Sequence, residues 1–223
     1  MVGRTAHHAD RVRRPPHPDG KPGMTPGRLL LARHGQTTGN VAGILRGADS
    51  RNDPLTDEGH AQAHALARRV LALNPDAPRV YASSYCRAQQ TAAPLAEALG
   101  VPVTVLDGLQ EIDPGAWRGR PYADLRTHAQ ELLRPGGSVA FPGGESLEAV
   151  ADRFTAALAP VLAGSGTPVV VSHGGALIAV LIRLLRAPPV ETWRAGTFTH
   201  ANAALTELTR TADGWSAARL NEH

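Results

Sequence analysis

Cysteine, lysine and aromatic residues are scarce in this chain. A single cysteine, Cys86, excludes an intramolecular disulfide framework and a zinc site built on several thiolates. It suits a reducing compartment, so a cytoplasmic location is expected. Trp, Tyr and Phe occur three times each, so a core must be built mainly from Ala, Leu and Val, as where helices pack closely on a sheet. Long apolar runs are missing too. The longest, residues 176–182, stops at Arg183, well short of the roughly 18 residues that a membrane span needs. With 42% hydrophobic residues the chain is nevertheless too aliphatic to be disordered as a whole.

Lysine occurs once, as Lys21, and cationic charge otherwise rests on arginine. Residues 1–27 hold Arg4, Arg11, Arg13, Arg14 and Lys21 against Asp10 and Asp19, which accounts for the whole net charge of +3. The remainder is neutral and shows no basic patch interleaved with aromatics, so a nucleic-acid partner is not expected. Pro, Gly, His and Arg dominate residues 1–27, which read as a disordered tail ahead of one domain over 28–223. Pro15-Pro16 follows Arg13-Arg14 where an export signal would need an apolar stretch. Met24 is a second candidate start.

Beyond the tail, aliphatic runs alternate with helical patterns. Residues 28–32 read as a buried strand, and 79–82, 103–106 and 168–172 as three further strands. Thr56 is placed to cap a helix with Asp57 and Glu58 in its first turn and Ala63, Leu66, Ala67 and Val70 on one face. Further helices are expected over 88–99, stopped by Gly100, then over 146–163 and 176–185. Residues 203–208 and 215–220 alternate around Asp213-Gly214 as a hairpin. This alternation predicts an α/β fold, a mainly parallel central sheet with helices on both faces. Ligands of such sheets bind beyond the carboxyl ends of the strands. There the chain places Arg33-His34-Gly35, then Arg87 after Ser83-Ser84-Tyr85-Cys86, then Glu111, then His173-Gly174-Gly175.

Two histidines and two arginines at one sheet edge suit a dianionic phosphate, since the arginine fork donates bidentate hydrogen bonds to phosphate oxygens. A neutral imidazole can attack phosphorus and split one displacement into two. Neighbouring cations keep that imidazole neutral. A carboxylic acid must protonate the leaving alkoxide, and Glu111 is the candidate.

Residues 31–40 (Leu-Ala-Arg-His-Gly-Gln-Thr-Thr-Gly-Asn) resemble the signature of the histidine phosphatase superfamily, phosphoglycerate mutase-like, branch 1. The resemblance continues through Arg46-Gly47, residues 53–59, 83–92 and 111–119, Gly143-Gly144-Glu145-Ser146, and 172–175. It covers about residues 28–220 with the motifs in the family's order. It implies His34 as the phosphorylated nucleophile, Arg33, Arg87 and His173 as the phosphate pocket, and Asn40 as an added donor. It further implies Glu111 as proton donor, with Arg46, Gly47 and the Gly174 backbone lining the pocket. Tyr85-Cys86 departs from the aliphatic residue of many relatives.

Several features carry a plainer reading. His60 and His64 lie one helical turn apart, but Ala61 stands where a zinc protease needs its base and no third ligand is evident, so they read as a helix flank. A cysteine phosphatase needs an arginine six residues after its cysteine, and Cys86 meets Ala92 there. Asp113 is an alternative acid to Glu111. Arg118, Arg120 and Arg126 read as solvated surface.

The resulting expectation is a phosphomonoesterase needing neither metal nor cofactor, acting on a small phosphorylated metabolite as a monomer or homodimer. A phosphoglycerate mutase is the alternative enzyme, and a non-catalytic phosphate-binding scaffold the alternative of another class. Mutase relatives tend to carry Glu-Ser after Arg-His-Gly and a longer stretch between acid and second histidine. Here Gln36-Thr37 follow. Residues 112–145 are expected to cover the pocket, without an Arg-Arg or Lys cluster to clamp a carboxylate. Sugar phosphates, phosphoglycerate derivatives, nucleotide-loop precursors and phosphoserine stay open as substrates.

Overall fold

The computed structural model describes residues 26–223, so the disorder expected for the tail falls almost wholly outside the described residues. In chain order the elements are β1 Arg28–Arg33, α1 Thr38–Ala42, α2 Asp57–Ala72, β2 Arg79–Ser83, α3 Cys86–Leu99 and β3 Val103–Leu106. There follow α4 Asp124–Thr127, β4 Leu133–Arg134, β5 Ser138–Val139, α5 Leu147–Leu162 and β6 Pro168–Ser172. Last come α6 Gly174–Leu184, α7 Pro189–Ala195, β7 Leu205–Thr211 and β8 Gly214–Glu222.

The main sheet runs β3-β2-β6-β1-β7-β8, the first four strands parallel and the last two antiparallel. Helices cover both faces, and the strand period of two divides the core accordingly. Leu29, Leu31 and Val170 point to one face, where α5 and α6 bury Phe154, Leu158 and Leu177 against them. Leu30, Ala32, Val169 and Val171 point to the other and meet Leu66 and Val70 of α2 and Leu95 of α3. A strand buried on both faces cannot alternate, which is why β1 reads Leu-Leu-Leu-Ala without a polar break. Each leucine removed from such a site costs about 2–5 kcal/mol.

The caps follow local chemistry. Thr56 accepts from the Gly59 amide, Ser146 from the Ala149 amide, and Gly100 ends α3 at φ 67°. Element boundaries moved where function gathers. α3 starts at Cys86 and α6 at Gly174, each about two residues earlier than the apolar periodicity suggests. The short α1, α4, β4, β5 and α7 have too few residues for a periodic signal and were not anticipated. No helix among the described residues is long and apolar enough to cross a membrane.

Candidate active site

Sheet register brings the motifs together. Arg33 pairs with Ser172 at the carboxyl ends of β1 and β6, so the next residues on the two strands are His34 and His173. Their ring centroids stand 5.1 Å apart, edge to face. Ala82 of β2 pairs with Val171, which sets Ser83 beside His173 with Oγ 2.8 Å from Nε2. From the second position of α3, Arg87 reaches back to the same point.

His34 is 3% exposed. Its Nδ1 lies 2.7 Å from the Gly35 carbonyl. Only an N–H satisfies that acceptor, so Nε2 carries the lone pair. Arg87 Nε donates to this Nε2 at 3.2 Å and anchors its Nη1 on the Ser50 carbonyl at 2.8 Å. Burial first, then Arg87 and Arg33, hold His34 well below the ordinary histidine pKa, against the Gly35 carbonyl that pulls the other way. His173 is displaced in the same direction by burial, then Arg87, His34 and Arg33. Two neutral imidazoles therefore stand between two arginines.

Arg33 Nη1 donates to the His200 carbonyl at 2.6 Å. The buried Arg33 Nε and His173 Nδ1 have no partner among the described residues. Both suit an anionic oxygen, which would supply the acceptor they lack.

Glu111 lies across the mouth of α6. Its Oε1 accepts from the Ile112 and Ala176 amides at 2.8 and 3.0 Å, and its Oε2 from the Gly175 amide at 3.2 Å. A side chain at Gly175 would collide with Ile112 and come within 2.8 Å of Glu111 Oε1, so that helix turn has to be glycine. Arg153 of α5 fixes the loop that carries Glu111. It donates to the carbonyls of Gly108, Gln110 and Glu111 and pairs with Glu145 at 2.8 Å. The Gly-Gly-Glu-Ser motif thus supplies a brace in Glu145.

These groups open into a cavity of about 550 Å³ lined by Arg33, His34, Arg87, Glu111, Asn40, Arg46 and Gly174 among others. His173 lies just behind the lining and is fully buried. Asn40 is already engaged: its Oδ1 accepts from Thr37 and Asn202, and its Nδ2 donates to the Tyr122 hydroxyl at 3.1 Å. Arg46 pairs with Asp53 at 3.1 Å. Gly47 is a correction. It is not part of the lining but is packed under Arg118, where a Cβ would lie 2.5 Å from Nε.

Asp113 also stays out of the lining, its carboxylate held by the Gly115 amide and Arg118. Arg120 pairs with Asp124 and Glu131 over the Trp117 ring. Arg126 is solvent-exposed, as expected, and also borders the cavity, as does the exposed Arg194 of α7. His60 and His64 stay exposed on α2, and no group of three or more metal-ligating side chains occurs among the described residues. Sequence reasoning missed Ser83, Arg153, Trp193 and His200. Ser83 stood in a motif already quoted and Arg153 on an expected helix, whereas nothing local singled out His200.

A parallel-stranded α/β fold with two neutral histidines and two arginines at its carboxyl edge defines a phosphate-handling protein. The profile of the histidine phosphatase superfamily, branch 1, matches residues 29–223, and the chain belongs to that family. It is 34% identical over 171 residues to the probable phosphoglycerate mutase GpmB of Yersinia enterocolitica, covering 73% of this chain and 76% of that protein. Among solved structures, mycobacterial glucosyl-3-phosphoglycerate phosphatase superposes with a TM-score of 0.74 at 31% identity, over 88% of this chain and 99% of that one. Phosphoserine phosphatase of Entamoeba histolytica gives a TM-score of 0.73 at 25% identity, over 88% and 97%. The relatives are phosphatase and mutase enzymes, and the motifs on which the resemblance rested lie inside the matched span.

Proposed function

We propose that this protein hydrolyses phosphomonoesters through a phosphohistidine on His34. The carrying observation is the His34 ring: neutral, with Nδ1–H fixed on the Gly35 carbonyl and the Nε2 lone pair beside Arg87. In the first step Nε2 attacks phosphorus, the P–O ester bond breaks, and Glu111 gives its proton to the departing alkoxide. The Gly35 carbonyl faces the Nδ1–H of the cationic ring that results. In the second step Glu111 takes a proton from water, the oxygen attacks phosphorus, the P–N bond breaks, and neutral His34 returns with inorganic phosphate. Arg33, Arg87 and the Nδ1–H of His173 meet the charge that develops on the non-bridging oxygens. Neither step draws on a metal or cofactor.

A mutase is the second reading, favoured by the name of the Yersinia relative. Arg126 and Arg194 remove one argument against it, because cations do stand in the outer cavity. Hydrolysis is supported by the opening itself: Arg126, Arg194 and Thr199 are lining residues exposed to solvent, so water reaches the phosphohistidine. The experiment has two arms. Protein labelled with a radioactive phosphomonoester and quenched should carry acid-labile, alkali-stable phosphate that His34→Ala lacks. Incubation with 3-phosphoglycerate and a trace of 2,3-bisphosphoglycerate should release inorganic phosphate faster than 2-phosphoglycerate forms. The opposite order would make the protein a mutase, and label persisting in His34→Ala would end the phosphohistidine assignment.

A further inference from the structure

The cavity is two-sided. Its inner end is the charged group around His34. Further out, Leu45, Leu125, Phe141, Ile178 and Trp193 form an apolar wall, with Arg126 and Arg194 at the exposed rim. At about 550 Å³ it lies within the ~300–1,000 Å³ range of pockets that enclose a small organic ligand, well beyond what a phosphate alone occupies.

The wall is pre-formed. Leu45, Leu125, Ile178 and Trp193 all pack on the main core cluster. Phe141 sits between Trp117 and Trp193, with ring centroids 5.7 and 6.3 Å away and both pairs edge to face. Ile178 lies one helical turn after Gly174 on α6, so the face of that helix that borders the phosphate end continues as hydrocarbon.

The polar side chains nearest the apolar wall are committed to protein partners, whereas Arg126, Arg194 and Thr199 stand at the solvent-exposed rim. Asn40 is bound to Thr37, Asn202 and Tyr122, and Arg46 is paired with Asp53. A polyol placed against this wall would surrender its water hydrogen bonds without replacement, which is costly. A hydrocarbon would gain from the same transfer.

We infer that the leaving alcohol carries an apolar body, so that the preferred substrates are alkyl or arylalkyl phosphomonoesters, with Leu45, Leu125, Phe141, Ile178 and Trp193 setting the preference. This rests on the hydrolytic reading of the site.

The test uses primary esters of matched leaving-group chemistry: ethyl, butyl, hexyl and phenethyl phosphate against glycerol 1-phosphate and glucose 6-phosphate. kcat/KM should rise about fourfold for each methylene buried, the factor equivalent to ~0.8 kcal/mol, and hexyl phosphate should exceed glucose 6-phosphate. Ile178→Ala and, separately, Trp193→Ala should flatten the rise from ethyl to hexyl by roughly tenfold. In parallel, ethyl and hexyl phosphonate binding is measured by calorimetry, which needs no turnover. Turnover with a flat series, or with glucose 6-phosphate ahead of hexyl phosphate, overturns the apolar preference and leaves the hydrolytic reading standing. No turnover of any ester, with hexyl phosphonate still bound far more tightly than ethyl, overturns the hydrolytic reading and keeps the wall.

Discussion

Ser83 Oγ lies 2.8 Å from Nε2 of His173 and also accepts from the Tyr85 amide at 3.4 Å. Among the described residues no other acceptor stands within reach of the Ser83 hydroxyl proton, so that proton goes to His173 Nε2. Nδ1 of His173 then carries the ring N–H, and it is this buried atom that has no partner among the described residues. Under the proposed function, a serine at the end of β2 thereby sets the tautomer in which His173 donates to the phosphate. Tyr85, the departure from the family pattern, packs edge-on against the same ring with centroids 5.1 Å apart, and the Arg87 guanidinium lies 4.9 Å from its own centroid.

Ser83→Ala should therefore reduce kcat/KM by roughly ten- to a hundredfold, the scale of a lost buried hydrogen bond that orients a functional histidine. Inorganic phosphate should bind more weakly to the same extent. Unchanged kinetics in a variant with native circular dichroism would remove Ser83 from this role.

Gly175→Ala replaces glycine with a residue that ordinarily favours helix by about 1 kcal/mol. Here the new methyl would press on Ile112 and Glu111, so kcat is expected to fall by at least about tenfold for alkyl esters. A crystal structure should show the Glu111 carboxylate shifted off the α6 amides. Wild-type activity would mean that the loop over residues 111–112 yields more easily than its Arg153 brace suggests.

Glu111→Gln keeps the shape of the side chain and removes the proton. Alkyl phosphates should suffer far more than nitrophenyl phosphate, because nitrophenolate leaves without protonation. Steady-state rates on the two substrate types check this. Equal losses would transfer the acid role elsewhere, and Asp113 would then have to leave Gly115 and Arg118.

Three buried histidines tie stability to acid. His34 and His173 are held well below the ordinary value, and burial lowers His200 to about 4, with the Phe198 carbonyl opposing. Above about pH 6.5 both folded and unfolded chains leave them neutral and nothing is lost. As pH drops below that, the unfolded chain binds protons that the folded one refuses, and stability falls by about 1.4 kcal/mol per unit for each such histidine. For His200 the loss runs from about 6.5 down to about 4. Urea midpoints taken between about pH 7.5 and pH 5 should decline along this slope, and a flat profile would contradict the neutral-imidazole assignment. Nitrogen NMR of histidine-labelled protein should show His34 unprotonated throughout that interval.

Much of the site was written in local order. Arg33-His34, Arg87, Glu111 and His173 each follow a β-strand, and the carboxyl edge of a parallel sheet collects whatever follows its strands, so their meeting was legible from strand order alone. Helix caps such as Thr56 and Gly100 depend on neighbours three or four residues away and were legible for the same reason. Other features depend on groups far apart in the chain. The His200 carbonyl takes Arg33 across 167 positions, Trp193 reaches the cavity from a helix of 7 residues, and Arg126 stands at the cavity rim from a stretch without periodicity. Burial and direction at such positions are properties of the packed surface, so only the tertiary structure decided that the pocket has an apolar wall.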